Sequence, residues 1–90
     1  MAIGALNVGS YKNATATGNV QSVSGAILGF YVNSTSSGTI QFYDSATTGT
    51  GTPITGVITP AIGWQTLPVC FANGLYAVIA NTLNVTIVYV

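Results

Sequence analysis

Ala26-Ile-Leu-Gly-Phe-Tyr-Val-Asn-Ser-Thr-Ser-Ser-Gly-Thr-Ile-Gln-Phe-Tyr-Asp44 decides the fold class of this chain. Its first half places Ala26, Leu28, Phe30 and Val32 at every second position, the period of a strand that buries one face. Its second half repeats the device, with Ile40 and Phe42 alternating against Thr39, Gln41 and Tyr43. Between them, Asn33-Ser-Thr-Ser-Ser-Gly38 is a cluster of turn formers. The stretch reads as a β-hairpin, Ala26–Asn33 against Thr39–Asp44.

Outward from there the same pattern recurs. Leu75–Ala80 and Val85–Val90, joined by Asn81-Thr-Leu-Asn84, read as a second hairpin. Ser10–Thr17, Val20–Ser24 and Ile54–Thr59 read as further short strands, with Gly18-Asn19 and Pro60–Gly63 as turns. Trp64–Phe71 reads as a strand with Leu67, Val69 and Phe71 on one side; Pro68 within it implies an edge or a bulge, because proline cannot donate to the ladder. Ala72-Asn-Gly74 is a tight turn. The expected fold is all-β: an antiparallel β-sandwich of about seven or eight short strands, jelly-roll or Greek-key-like. Residues 1–9 read as a possible extended N-terminal arm, and 10–90 as one domain.

Composition agrees. Of 90 residues, 31 are Val, Ile or Thr, which suit a pleated surface better than a helix. Only Lys12 and Asp44 are charged, and His, Glu and Arg are absent. That excludes a phosphate-binding nucleic-acid surface, which needs clustered Lys and Arg, and most acid–base catalysis, so no enzyme is expected. The start of the chain has no basic segment of the secretory kind. No apolar run is long enough for a membrane helix, and the strands are short for a membrane barrel, so no membrane association is expected.

A soluble monomer normally carries mixed charges on about a quarter to a third of its surface. Here Ser, Thr, Asn and Gln must make the polar surface, so much of the monomer surface is expected to be covered by other copies or partners. The last two strands are apolar on both faces. One face fits a core and the other fits a subunit contact, which makes Leu75, Tyr76, Val78, Ala80, Val88 and Val90 the candidate oligomer interface. Tyr31 and Tyr43, on the outward parity of the first hairpin, are the candidate partner or glycan contacts.

Other residues with chemical potential receive structural expectations. Cys70, within Leu67–Phe71, reads as a small buried hydrophobe without a disulfide partner or a catalytic base. Trp64, after a Gly turn, reads as a core plug. Asp44 reads as a turn residue accepting loop N–H groups; alone it is a poor metal ligand. No catalytic residue, cofactor or metal site is expected. Asn13, Asn33 and Asn84 each open an Asn-X-Thr triplet, a pattern that chance supplies in a Thr-rich chain.

Gly29-Phe-Tyr-Val-Asn33, Gly38-Thr-Ile-Gln-Phe-Tyr-Asp44, Pro60-Ala-Ile-Gly-Trp64, Leu67-Pro-Val-Cys-Phe71 and Asn73-Gly-Leu75 together resemble small all-β virion structural proteins of tailed bacteriophages, of the head decoration (cement) or head-fibre type. The resemblance runs from about residue 12 to the C-terminus and implies a capsid decoration subunit. Such a subunit would be a homotrimer that binds the major capsid protein or another virion protein, assembled in the host cytoplasm and located in the virion. The alternative is a receptor- or glycan-binding module of a fibre or adhesin.

Overall fold

A computed structural model describes residues 9–90. The expected arm at residues 1–9 therefore lies outside the described residues, apart from Gly9. The described chain is all-β: β1 (Ser10–Ala14), β2 (Gly18–Gln21), β3 (Gly25–Tyr43), β4 (Gly63–Phe71) and β5 (Leu75–Tyr89). All pairings are antiparallel, in the order β1-β5-β3-β4, with β2 also on β5.

The expected seven or eight short strands are five, two of them long. The two expected hairpins do not form. Ala26–Asp44 lies almost wholly in the 19-residue β3, and Leu75–Val90 almost wholly in the 15-residue β5. These strands run antiparallel along each other from Ile27↔Tyr89 to Tyr43↔Tyr76. Their two Ser/Thr/Asn clusters are placed side by side, with Ser34 opposite Asn84 and Ser36 opposite Thr82. Ile54–Thr59, expected as a strand, makes only isolated bridges, Ile40↔Ile58 and nearby Tyr43↔Pro53.

The polar clusters bend the ribbon instead of reversing it. Register shifts fall between Val32 and Ser34 and between Ser36 and Ser37, and such bulges increase local twist and bend. Among the described residues, Ser37 (φ 57°) and Asn81 (φ 60°) are the two non-glycine residues in left-handed conformation. They are tied together by Asn81 Nδ2 donating to Ser37 O at 2.8 Å. At Gly38 a Cβ would fall 2.5 Å from Thr82 O and 2.7 Å from Leu83 Cβ, so only glycine permits this close approach.

The fold-back is measured by Phe30 and Phe42. Twelve residues apart, they would be separated by roughly 40 Å along a straight strand. Their ring centroids are 5.4 Å apart, tilted by 52°. Ile27, Phe30 and Val32 from one half of β3 thus meet Ile40 and Phe42 from the other, and Leu75, Ala77, Leu83, Val85 and Ile87 of β5 complete the core with Ala14, Val20 and Phe71. No side-chain polar group is buried without a partner among the described residues.

β5 is the hub. One edge carries β3 along its length; the other is shared by β1 at Val85–Tyr89 and β2 at Leu75–Ala77. In the gap between β1 and β2, Thr17 Oγ1 accepts from Ile79 N (2.9 Å) and donates to Ile79 O (3.1 Å), so one side chain stands in for a strand. Pro68 lies on the outer strand β4, within a bulge that sets Leu67 and Pro68 against Leu28. That matches the expectation of an edge or a bulge, and the shift brings Ile27 rather than Leu28 into the core.

Candidate functional site

Alternation along the strands leaves one sheet face outside the core. Reading across it, Tyr11 of β1 pairs with Val88 of β5, Val88 with Gly29 of β3, and Gly29 with Thr66 of β4. The next row is Asn13, Thr86, Tyr31 and Trp64. Tyr11, Tyr31 and Trp64 are 74%, 46% and 47% exposed, so aromatic surface dominates this face. None of these residues carries a formal charge.

Trp64 corrects its expected role as a core plug. Along β4, Leu67, Val69 and Phe71 turn inward, while Trp64, Thr66, Pro68 and Cys70 are exposed. The indole lies across the neighbouring strand: a Cβ on Gly29 would fall 2.5 Å from Trp64 Cζ2 and 2.8 Å from Cη2. Its Nε1–H donates to Thr66 Oγ1 at 2.8 Å. The ring is thus fixed on one side and open on the other. Cys70 is likewise exposed, contrary to the buried position expected for it; the β4 alternation puts it on the outward parity.

The three Asn-X-Thr triplets converge beside the aromatic residues. Asn13 Nδ2 donates to Asn84 Oδ1 (2.8 Å), and Asn33 Nδ2 donates to the same oxygen (3.1 Å). Both amides also reach Thr86 Oγ1, at 3.4 and 3.1 Å. Asn13 is held further by donation to Val85 O at 3.1 Å. Positions 13, 33 and 84 are far apart in sequence, and only the β1–β5–β3 pairing unites them. The triplets themselves were the one available signal, and they say nothing of proximity.

The candidate interface residues separate. Leu75 is fully buried, so it is a core residue and offers no surface to a second subunit. Tyr76 and Val78 are half-buried, and the loop after β3 lies on them: a Cβ on Gly49 would meet Val78 Cγ2 at 2.5 Å and Tyr76 Cε1 at 3.5 Å. Ala80 is exposed, Val88 half-buried, and Val90 48% exposed. Gln21 Nε2 donates to both Ser24 O and Val90 O, at 3.4 and 3.3 Å, which places exposed Val23 and Val90 at the same end of the sheet.

Tyr31 and Tyr43 are not brought together. Each follows a phenylalanine of the facing Phe30–Phe42 pair, so the two phenols point away from each other. Tyr31 is exposed, whereas Tyr43 is half-buried, pairs with Tyr76 and donates through its hydroxyl to Gln41 Oε1 at 3.2 Å.

Asp44 does accept loop N–H groups. Its carboxylate receives Ala72 N at 3.0 and 3.1 Å and Asn73 N at 2.7 Å, stapling the end of β3 to the β4–β5 turn. The hydrogen bond from Ala72, then that from Asn73, holds its carboxyl below the ordinary 3.8. Among the described residues there is no enclosed pocket and no group of three His, Cys, Asp or Glu that could hold a metal.

The class that fold and face define is an antiparallel all-β protein with an uncharged, aromatic-rich outer surface. No protein-family model, no curated protein and no solved structure matches the chain.

Proposed function

We propose that this chain is a non-enzymatic structural subunit of a tailed-phage virion, a capsid decoration or cement protein that acts as a homotrimer on the major capsid protein or another virion protein. The observation that carries this reading is the pairing of seven exposed large apolar side chains among the described residues with only two charged residues in the chain. Such a surface is suited to burial in an assembly, where contact free energy comes from apolar area at about 25 cal/mol per Å². Within this proposal the bent β3–β5 ribbon forms the two layers of a jelly-roll or Greek-key-like sandwich, and the Phe30–Phe42 contact supports two layers.

With Leu75 in the core and Tyr76 and Val78 under their own loop, the subunit contact is assigned to the sheet end bearing Val23, Val88 and Val90, with Ala80 as a second exposed position. The test has two parts. Imaging of intact particles should locate this chain's density on the capsid. Sedimentation of the purified chain should give a trimer that Val88→Asp or Val90→Asp dissociates by burying an unpaired carboxylate. A monomer at micromolar concentration that is absent from particles would overturn the proposal.

A further inference from the structure

We propose that the face formed by Trp64, Tyr31 and the Asn13–Asn33–Asn84–Thr86 cluster binds a neutral, short oligosaccharide. The inference does not depend on the virion reading, because it rests on how six side chains are arranged on one sheet face. This face and the Val23–Val90 end meet at Val88, which lies on the same side of β5 as Thr86 and roughly 7 Å from it, so sedimentation of the Trp64→Ala variant separates a sugar from a second copy as the occupant.

A pyranose ring presents a flat patch of C–H groups and a rim of hydroxyls, so it needs an aromatic plane and converging neutral donors and acceptors. The plane is Trp64. Its underside rests on Gly29, and Thr66 fixes its orientation. Holding the ring in place before a ligand arrives removes an ordering cost from binding. Tyr31 lies directly opposite on β3 and extends the apolar strip.

The rim partners are set by the amide cluster. Asn84 Oδ1 accepts a hydrogen bond from each flanking asparagine; Thr86 Oγ1 accepts another from Asn33 at 3.1 Å and a longer one, at 3.4 Å, from Asn13, whose amide also serves Val85 O. These bonds fix the amide planes. Among the described residues, Asn84 Nδ2, Asn13 Oδ1, Asn33 Oδ1 and the Thr86 hydroxyl proton have no protein partner. The face therefore offers donors from Asn84 and Thr86 and acceptors from Asn13 and Asn33, a set matched to hydroxyls, which both give and receive.

Charge selects within carbohydrates. No cation stands on the face to pair with a uronate or another acidic sugar. Lys12 belongs to the opposite parity of β1, opposite Ile87. The span from Asn13 to Trp64 crosses three strand spacings, about 14 Å, which suits more than one sugar ring. Because the face is open rather than a pocket, the expected dissociation constant is on the order of 1 mM.

The chain has a single tryptophan, so its indole N–H gives one assignable resonance. The ¹⁵N-labelled protein is titrated with cellotetraose and with chitotetraose, with tetragalacturonate as the acidic comparison. The expected result is saturable movement of the Trp64 indole signal and of the Asn13, Asn33 and Asn84 side-chain amides with at least one neutral probe, and none with the acidic one. Trp64→Ala, followed through the asparagine signals, and Asn33→Ala, followed through the indole, should each weaken binding about tenfold. Asn33→Ala alters one exposed side chain and keeps the test valid if Trp64→Ala disturbs the sheet. Absence of saturation with both neutral probes overturns the proposal. So does equal response to the acidic probe, or unchanged affinity in Asn33→Ala. A fall in sedimented mass on Trp64→Ala would show that a second copy occupies the face, and would overturn it too.

Discussion

Asp44 carries one of only two side-chain charges in the chain, and the backbone N–H groups of Ala72 and Asn73 depend on it. Its folded carboxyl titrates below its ordinary 3.8. The ionised form is therefore favoured by the folded state. Its contribution to stability is complete above the unfolded value and is lost as pH falls through the folded one. No histidine is present to titrate between pH 5 and 8. Thermal midpoints should thus be flat from pH 8 to pH 5 and fall below about pH 4, while Asp44→Asn should lower the plateau and flatten the acid fall. A midpoint of the variant equal to wild type at pH 7, measured by circular dichroism, would contradict this. Cys70 supplies a second check: exposed on β4, it should react with a thiol reagent in the native protein as fast as in the unfolded one, within about tenfold. That Asp44 accepts loop N–H groups was legible from its residue type, but its partners Ala72 and Asn73 were not, because they lie 28 and 29 residues away and reach it only through the fold. Cys70 and Trp64 were not. Parity along β4 was readable from Leu67, Val69 and Phe71 and puts both residues on the outward side, but cysteine and tryptophan are residue types that are mostly buried, and here type and parity disagree. A tryptophan resting on a cross-strand glycine looks in sequence like any buried one.

At the scale of elements, the bend in β3 and β5 makes a quantitative claim. Phe30→Ala and Phe42→Ala should each cost about 3–5 kcal/mol. The double variant should cost less than their sum by about 0.5–1.5 kcal/mol, because the rings touch across the fold-back. Additivity within about 0.3 kcal/mol in urea unfolding would mean that the two halves are not in contact. Gly38→Ala should destabilise by about 1–3 kcal/mol, since its Cβ would press on Thr82 O and the Leu83 side chain. The positions and faces of these strands were readable from Phe30, Val32, Ile40 and Phe42, all of which are buried. Their connection was not. A cluster such as Asn33–Gly38 supplies left-handed and bulged conformations equally well to a reversal and to a bend. What separates the two is whether another such cluster lies alongside, and Asn81–Asn84 is more than forty residues away by its numbering. The asparagine cluster was hidden for the same reason, because its members meet only through strand pairing.

For the whole molecule, the near-absence of charge predicts indifference to ionic strength. Screening at 1 M salt cuts the reach of exposed charges to about 3 Å, but Lys12 and Asp44 leave little to screen. The sedimented mass of the purified chain should be the same in 50 mM and 1 M NaCl, whereas Val90→Asp should reduce it. Dissociation by salt alone would mean that charge pairs, not apolar area, hold the proposed assembly.

The central position of β5 has a temporal consequence. A ribosome delivers β1 before the other strands, yet β1 and β2 find their partners only in Leu75–Tyr89, and β3 lacks one entire edge until the same segment emerges. Nascent chains stalled before Leu75 therefore have β3 and β4 to pair with each other and nothing for the first two strands, and their Phe30 and Phe42 side chains remain open to chaperones. Acquisition of structure should be abrupt and late, triggered when the final fifteen-residue strand clears the exit tunnel.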